Sequence, residues 1–241
     1  MKVDILAIGA HPDDIELACS GTLLKHIEMG YKVGLLDLTK GELGSRGSAA
    51  IRKRESSKAC KLMGAAFREN VGLKDGFFDM EKSIMKLIPY IRKHQPDIVL
   101  ANAITDRHPD HGRAAELTAR ACYLSGLLKI KTKLGKKSQK HWRPKQVFHY
   151  TQDRYINPDF VVDITPYMER KIKLVLAYGS QFYNPDAKQY KNEAQTPISG
   201  KDFFDNLYAK ANVFGRIIGV PYAEGFTSAT AVGVKSLFDL D

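Results

Sequence analysis

Two short clusters hold the side chains best suited to chemistry. Ala10-His11-Pro12-Asp13-Asp14 ends one apolar run, and Asp106-Arg107-His108-Pro109-Asp110-His111 follows another. Each joins imidazole to carboxylate. Two His and one carboxylate, with a fourth position left to water, make the donor set of a catalytic zinc site. His11 and Asp14 stand three apart at the start of a helical pattern, so both can face one point. One distant His completes the set, and His111 is the better placed because it opens the helix that follows. Asp13 lies beside these ligands without being needed among them, which suits it to take the proton of an acidified water. His108, held by the carboxylate of Asp110, is expected to stay protonated and to stabilise an oxyanion or protonate a leaving amine. Zn2+ suits the set; Fe(II), Co(II) and Mn(II) are chemically admissible.

Singly, these residues have plainer readings. A strand-end His commonly packs or caps, an Asp at a helix start is commonly an N-cap or first-turn acid, and Pro12 and Pro109 mark turns. Those readings give no reason for both clusters to stand at matching strand ends.

The surrounding elements decide whether the clusters meet. Val3 to Ala10 (VDILAIGA) and Asp97 to Ala103 (DIVLANA) are apolar runs of strand length, and Lys32 to Leu38 and Phe67 to Val71 read as two more strands. Apolar residues at helical spacing mark Ile15 to Met29, with Gly30 as its stop; Ala49 to Met63, Met80 to His94 and Pro109 to Ser125 also read as helices. In the second half, Gln146 to Thr151 and Phe160 to Ile164 are short β candidates, and Thr165 to Tyr178 and Lys201 to Phe214 look helical. The alternation predicts a Rossmann-like, doubly wound, mostly parallel α/β sheet with helices on both faces, in one domain over residues 1–241. In such sheets ligands sit beyond the carboxyl ends of the strands, where both clusters emerge.

The 241 residues are 44% hydrophobic and 27% charged, the make-up of a chain that buries its own core. No apolar run approaches the roughly 18 residues of a membrane span. Met1-Lys2-Val3-Asp4 runs straight into a strand-like stretch with no secretory pattern. Three cysteines, with no metal-spaced pair, suggest a reducing cytoplasm. The formal net charge is +10, and eight basic residues with no acid fall between Lys129 and Lys145. Such a block can attract nucleic acid. It holds one aromatic, Trp142, and no nucleic-acid motif, so a solvated loop is the simpler expectation, and nucleic acid is not the expected partner.

AHPDD at Ala10–Asp14 and HPDH at His108–His111 resemble the opening and second motifs of the PIG-L/LmbE family of zinc-dependent N-acetylglucosamine deacetylases. The similarity covers most of the chain: GELGSRG at Gly41–Gly47 with Arg52 and Glu55 after it, NPDFVVDIT, SQF at Ser180–Phe182 and YAEGF at Tyr222–Phe226. As an ordered set these are most similar to the bacillithiol-pathway branch, which removes acetyl from N-acetylglucosaminyl L-malate. The resemblance implies His11, Asp14 and His111 as zinc ligands, Asp13 as general base, and His108, oriented by Asp110, as acid or oxyanion stabiliser. It implies Arg52 near the substrate with Glu55 as its partner, although alone the two are more simply a solvated i,i+3 pair. It also implies a homo-oligomer, trimer or hexamer, acting on a small anionic amino sugar. Malate carries two carboxylates, for which Arg46, Arg107 and the 129–145 segment are candidate partners. GELGSRG has neither nucleotide-fingerprint nor P-loop spacing; it is equally a plain turn or a close approach to a sugar. Some members place a tyrosine near the reacting carbonyl. Asp106 stands where one branch has it, and Tyr183, Tyr190 and Phe203 lie in a region that could supply a substitute.

Overall fold

The structure, a computed structural model, describes residues 1–184, 190 and 192–239. Strands β1 (Ile5–Gly9), β2 (Val33–Asp37), β3 (Phe67–Asn70), β4 (Ile98–Ala101) and β7 (Gln146–Tyr150) run parallel. β9 (Ala223–Ser228) and β8 (Phe160–Asp163) extend the sheet antiparallel beyond β7. The order is β3-β2-β1-β4-β7-β9-β8. The chain steps outward from β1 through β2 to β3, then returns to β4 on the other side of β1, with Ile5 opposite Ile98 and Ala7 opposite Leu100. The switch point of the sheet therefore lies between the two strands that deliver the two clusters, which is where such sheets bind ligands.

β1 is buried on both faces, which explains its unbroken apolar sequence. Leu6 and Ile8 join Leu36, Val99 and the apolar sides of α4 (Met80–His94) and α5 (Pro109–Ser125) through Ile84, Leu87, Ile91 and Leu117. Ile5 and Ala7 point the other way, onto Leu23 and Leu24 of α2 (Ser20–Glu28), Met63 of α3 (Ala49–Met63) and Leu174 of α6 (Met168–Leu176). Each fully buried Leu or Ile contributes about 1.5–3 kcal/mol, so helices cover both faces, as the alternation predicts.

The expected helix over Ile15 to Met29 is two helices, α1 (Asp14–Ala18) and α2, parted at Cys19 with φ −136°. The cause comes from the far end of the chain. The buried Glu224 carboxylate accepts from Gly21 N at 2.9 Å and Thr22 N at 2.7 Å, and pairs with Lys171 at 2.6 Å. A helix N-terminus attracts an anion, and the break supplies one where Glu224 stands. The second half differs in other ways. A 3-10 turn over Thr165–Tyr167 precedes α6, and α7 runs on to Ile217 from Lys201. β9 was not expected: its AEGFTS has Glu and Gly where strands favour branched residues, and pairing on both sides places it.

The basic segment forms a small hairpin, β5 (Lys133–Leu134) with β6 (Lys137–Ser138). Trp142 Nε1 donates to the Pro96 carbonyl and Lys145 N to the Asp97 carbonyl, each at 2.8 Å. These contacts seat the segment at the amino end of β4, across the sheet from the clusters. The 129–145 segment is therefore not among the groups that face the site. Cys19, Cys60 and Cys122 are free thiols, and among the described residues no helix is long and apolar enough to cross a membrane.

Candidate active site

The turn after β1 is strained. Asp13 has φ 131°, a left-handed conformation that costs a non-glycine residue about 1–3 kcal/mol. Its side chain does not cap α1. Instead Asp13 Oδ2 accepts from Arg52 Nη2 at 2.7 Å, and the same nitrogen donates to the Pro12 carbonyl at 2.7 Å. Arg52 Nη1 reaches the Gly41 carbonyl at 3.3 Å. Gly41, at φ 63°, leaves room there that a Cβ would fill by colliding with the guanidinium. One arginine from α3 thus holds the loops after β1 and β2 together.

Asp14 is fixed on every side. Its Oδ2 accepts from His11 N and Asn102 Nδ2, both at 2.9 Å, and its Oδ1 accepts from Gln152 Nε2 at 3.1 Å. The same two oxygens face His11 Nδ1 at 3.7 Å and His111 Nε2 at 3.1 Å. Ligands about 2.0–2.1 Å from one tetrahedral zinc stand about 3.3 Å apart, and these spacings bracket that value. Each imidazole is backed by a carboxylate on its other nitrogen. His11 Nε2 lies 3.0 Å from Asp75 Oδ1 and 3.6 Å from Asp110 Oδ2, and His111 Nδ1 lies 2.5 Å from Asp106 Oδ2. A carboxylate behind an imidazole fixes its tautomer and turns the inner lone pair toward a metal. His11, Asp14 and His111 therefore fit a divalent cation. His108 offers a nitrogen within 4.8 Å of donors on His11 and His111. His11, Asp75 and Asp110 form another close group. It lies on the outer side of His11, and its carboxylates are occupied by Leu43 N and Gly76 N, so it supports the site.

The field at this centre favours positive charge. Burial opposes the His11 imidazolium, but Asp110, Asp75 and Asp14 outweigh it and raise its pKa to about 10. His111 rises likewise to about 9, against burial, through Asp14 and Asp106. Burial works to raise Asp14, but its two histidines hold it well below the usual carboxylate range. Burial pushes Asp13 up to about 7 although Arg52 opposes the rise.

These groups line the inner end of a cavity of about 330 Å³, a volume suited to a small molecule. Phe203, Leu207, Lys210 and Phe214 of α7 form the facing wall.

The match to a known family spans the region that holds His11, Asp14 and His111. The family described as PIG-L, GlcNAc-PI de-N-acetylase, matches residues 6–122, the span that holds both clusters. The diacetylchitobiose deacetylase of Thermococcus kodakarensis is 30% identical over 190 residues, covering 74% of this chain and 70% of that protein. The chain belongs to the PIG-L deacetylase family. Two solved structures agree in fold. The conserved protein TT1542 from Thermus thermophilus is 33% identical with a TM-score of 0.84, covering 98% of each chain. The N,N'-diacetylchitobiose deacetylase from Pyrococcus horikoshii, complexed with its inhibitor MPG, is 28% identical with a TM-score of 0.78, covering 98% of this chain and 88% of that one.

Several expected partnerships within this family member differ from what its sequence suggests. The Asp110 carboxylate does not hold His108; it accepts from Gly76 N at 2.9 Å and faces His11. His108 Nδ1 instead accepts the Asp110 backbone N–H at 3.2 Å. Burial, with His11 and His111 nearby, lowers the His108 pKa, which works against the protonated form the sequence suggests; when Nδ1 accepts from the Asp110 amide, the hydrogen of the neutral ring lies on Nε2. Arg52 lines the cavity, but its partner is Asp13; Glu55 accepts from Ser180 N at 2.8 Å and Ser180 Oγ at 2.7 Å. Arg46 is outside the cavity lining. Its guanidinium is spent on the carbonyls of Ser180, Ala194 and Tyr190, at 2.8, 3.0 and 3.3 Å. Arg107 stands at the cavity rim, paired with Asp153 at 2.5 Å. Tyr183 packs on Phe204, and neither it nor Tyr190 lines the cavity, whereas Phe203 does.

Asp75, Asn102 and Gln152 are functional residues that the sequence pattern does not single out, and Asp106, though it opens the second cluster, has no role there beyond standing where one branch has a tyrosine. Asp106 carried a usable signal, an acid five residues before a ligand-type His on the same strand-to-helix turn. Asp75 and Gln152 carried none, because each is one polar residue in a loop whose partner is far away in the chain.

Proposed function

We propose that this deacetylase removes the N-acetyl group from an N-acetylglucosaminyl conjugate, with N-acetylglucosaminyl L-malate as its substrate and zinc, or else Fe2+, as its metal. The observation that carries the reading is Asp14 set between two carboxylate-backed imidazoles, with Asp13 beside them at the inner end of the cavity. Family membership supports deacetylation, and the ordered motifs shared with the bacillithiol branch support the malate conjugate.

His11, Asp14 and His111 would hold the metal. When bound, it supplies a Lewis acid that polarises the acetamide carbonyl and acidifies the attacking water. Asp13 takes the proton that this water gives up as its oxygen bonds to the carbonyl carbon. Its raised pKa suits a base that must later release that proton near neutral pH. His108 presents Nε2–H to the carbonyl oxygen as negative charge grows there, because its Nδ1 already accepts from the Asp110 amide. When the C–N bond breaks, the proton held by Asp13 passes to the departing nitrogen, leaving acetate and the free amine. Arg52 keeps the Asp13 carboxylate aimed and prevents it from capping α1.

The test is acetate release by the metal-loaded protein from the malate conjugate and from a panel of neutral N-acetyl sugars. The malate conjugate should show the highest kcat/KM. Asp13→Asn should retain metal and lose about 10²–10⁴ in kcat, the range of general acid–base catalysis. Acetate from none of these substrates, or full activity in Asp13→Asn, overturns the assignment.

A further inference from the structure

Helix α7 turns one face toward the cavity. Phe203, Leu207, Lys210, Ala211 and Phe214 recur at the three- and four-residue spacing of a single helical stripe. The stripe is apolar except for Asn206 and Lys210, and of these only Lys210 can carry a charge. Its Nζ meets the Gln152 carbonyl and lies 5.9 Å from the centre of the Phe214 ring. Gln152 is also the residue whose side chain holds Asp14 and Asn102, so the amine sits one residue from the floor of the site.

Among the described residues Lys210 makes no ion pair. The acids around it are committed elsewhere: Asp106 to His111, Asp153 to Arg107, and Glu224 to Lys171. An ammonium drawn out of water without its own counterion is costly. Burial, with Lys171 nearby, lowers its pKa to about 7, against the pull of Asp106, Asp153 and Glu224. Such an amine gains most from an anion that arrives with the ligand, since the resulting charge-assisted bond forms away from bulk water. Arg107 at the rim is less suited, because Asp153 already answers its charge.

We propose that Lys210 binds an anionic group on the aglycone of the substrate and sets the preference for acidic over neutral conjugates. This rests on the deacetylase reading above. Lys210 takes no part in the hydrolytic step; it holds the far end of a molecule whose acetamide lies against His108 and Asp13.

Two substrates with the same acetamide separate the claims: N-acetylglucosaminyl L-malate and methyl N-acetylglucosaminide, each followed by acetate release. In Lys210→Met, the ratio of kcat/KM for the acidic over the neutral substrate should fall about 10–100-fold, the scale of one charge-assisted hydrogen bond, with the loss falling on KM. Lys210→Arg should restore most of the ratio. Lys210→Gln repeats the measurement with a side chain that still hydrogen-bonds, in case methionine disturbs folding. A ratio unchanged in Met and Gln, with both substrates losing equally, makes Lys210 a structural prop for Gln152 and overturns the proposal. A wild-type protein with no preference for the acidic conjugate overturns it as well. Release of acetate from neither substrate by the wild type defeats the deacetylase reading instead.

Discussion

The two edges of the central sheet carry charge in opposite ways. At the carboxyl edge, His11, Asp13, Asp14, Arg52, Asp106, Asp110 and His111 are buried, and each has a polar partner within hydrogen-bonding or ion-pairing range. At the amino edge, Lys133, Lys136 and Lys137 stand in solvent on a two-stranded hairpin. Exposed charges contribute at most about 1 kcal/mol each, whereas breaking a buried pair costs about 3–5 kcal/mol. The chain's cationic surplus is therefore concentrated where it does least, and its chemistry sits where buried carboxylates draw positive charge inward. Net charge locates the solvated edge of this molecule; burial locates the reactive one.

The strongest way to break that contrast is to remove the residue at the centre of the buried edge. Asp14→Ala leaves His11 Nδ1 and His111 Nε2 without their shared carboxylate and frees Asn102 and Gln152 from it. Bound metal, read by elemental analysis, should fall to background. Acetate release should drop on the order of 10⁴-fold or more, as when one member of a cooperative catalytic unit is deleted. Retained metal with retained activity would mean that the centre is built on other donors, such as His11, His108 and His111 together.

A smaller effect tests the support behind the ligands. Asp106→Asn keeps the shape of the side chain but removes the charge 2.5 Å from His111 Nδ1. Metal affinity, measured by competition with a chelator, should weaken about 10–100-fold. Activity at saturating metal should fall less than in Asp14→Ala. An unchanged affinity would reduce Asp106 to a cap for Arg154 N, to which its other oxygen is bound.

How far each edge could be read from the sequence follows the same division. β1 and β4 were legible because burial on both faces writes an unbroken apolar run, and their neighbouring strand ends bring His11 and His111 to the two oxygens of Asp14. The break at Cys19 was not legible, because its cause, Glu224, lies about two hundred residues downstream. Nor was Arg46, whose place in a glycine-rich loop suggested an outward-reaching cation, while burial against three backbone carbonyls makes it a clasp. Glu55 was misassigned for a related reason: three-residue helical spacing from Arg52 says that the two can meet, not that Ser180 and Asp13 are better partners. Local pattern recovers residues whose environment is local. It does not reveal whether a charge will be buried, since burial depends on segments that meet only in the folded chain.

The smallest expected effect lies at the solvated edge. The hairpin is attached by contacts that do not involve its lysines: Arg92 donates to the carbonyls of Ser125, Leu127 and Ile130 and to Thr132 Oγ1, and Gln139 Nε2 to the Pro89 carbonyl. Replacing Lys133, Lys136 and Lys137 together by Gln removes three charges and none of these bonds. Stability should change by no more than about 0.5 kcal/mol per substitution, as for ordinary surface positions, and acetate release from acidic and neutral substrates should stay within about twofold of wild type. Thermal unfolding and the two-substrate assay measure both. A selective loss on the acidic conjugate would be the informative failure. From the amino edge these lysines cannot reach the cavity of their own chain, so such a loss would require the hairpin of one chain to stand at the cavity of another.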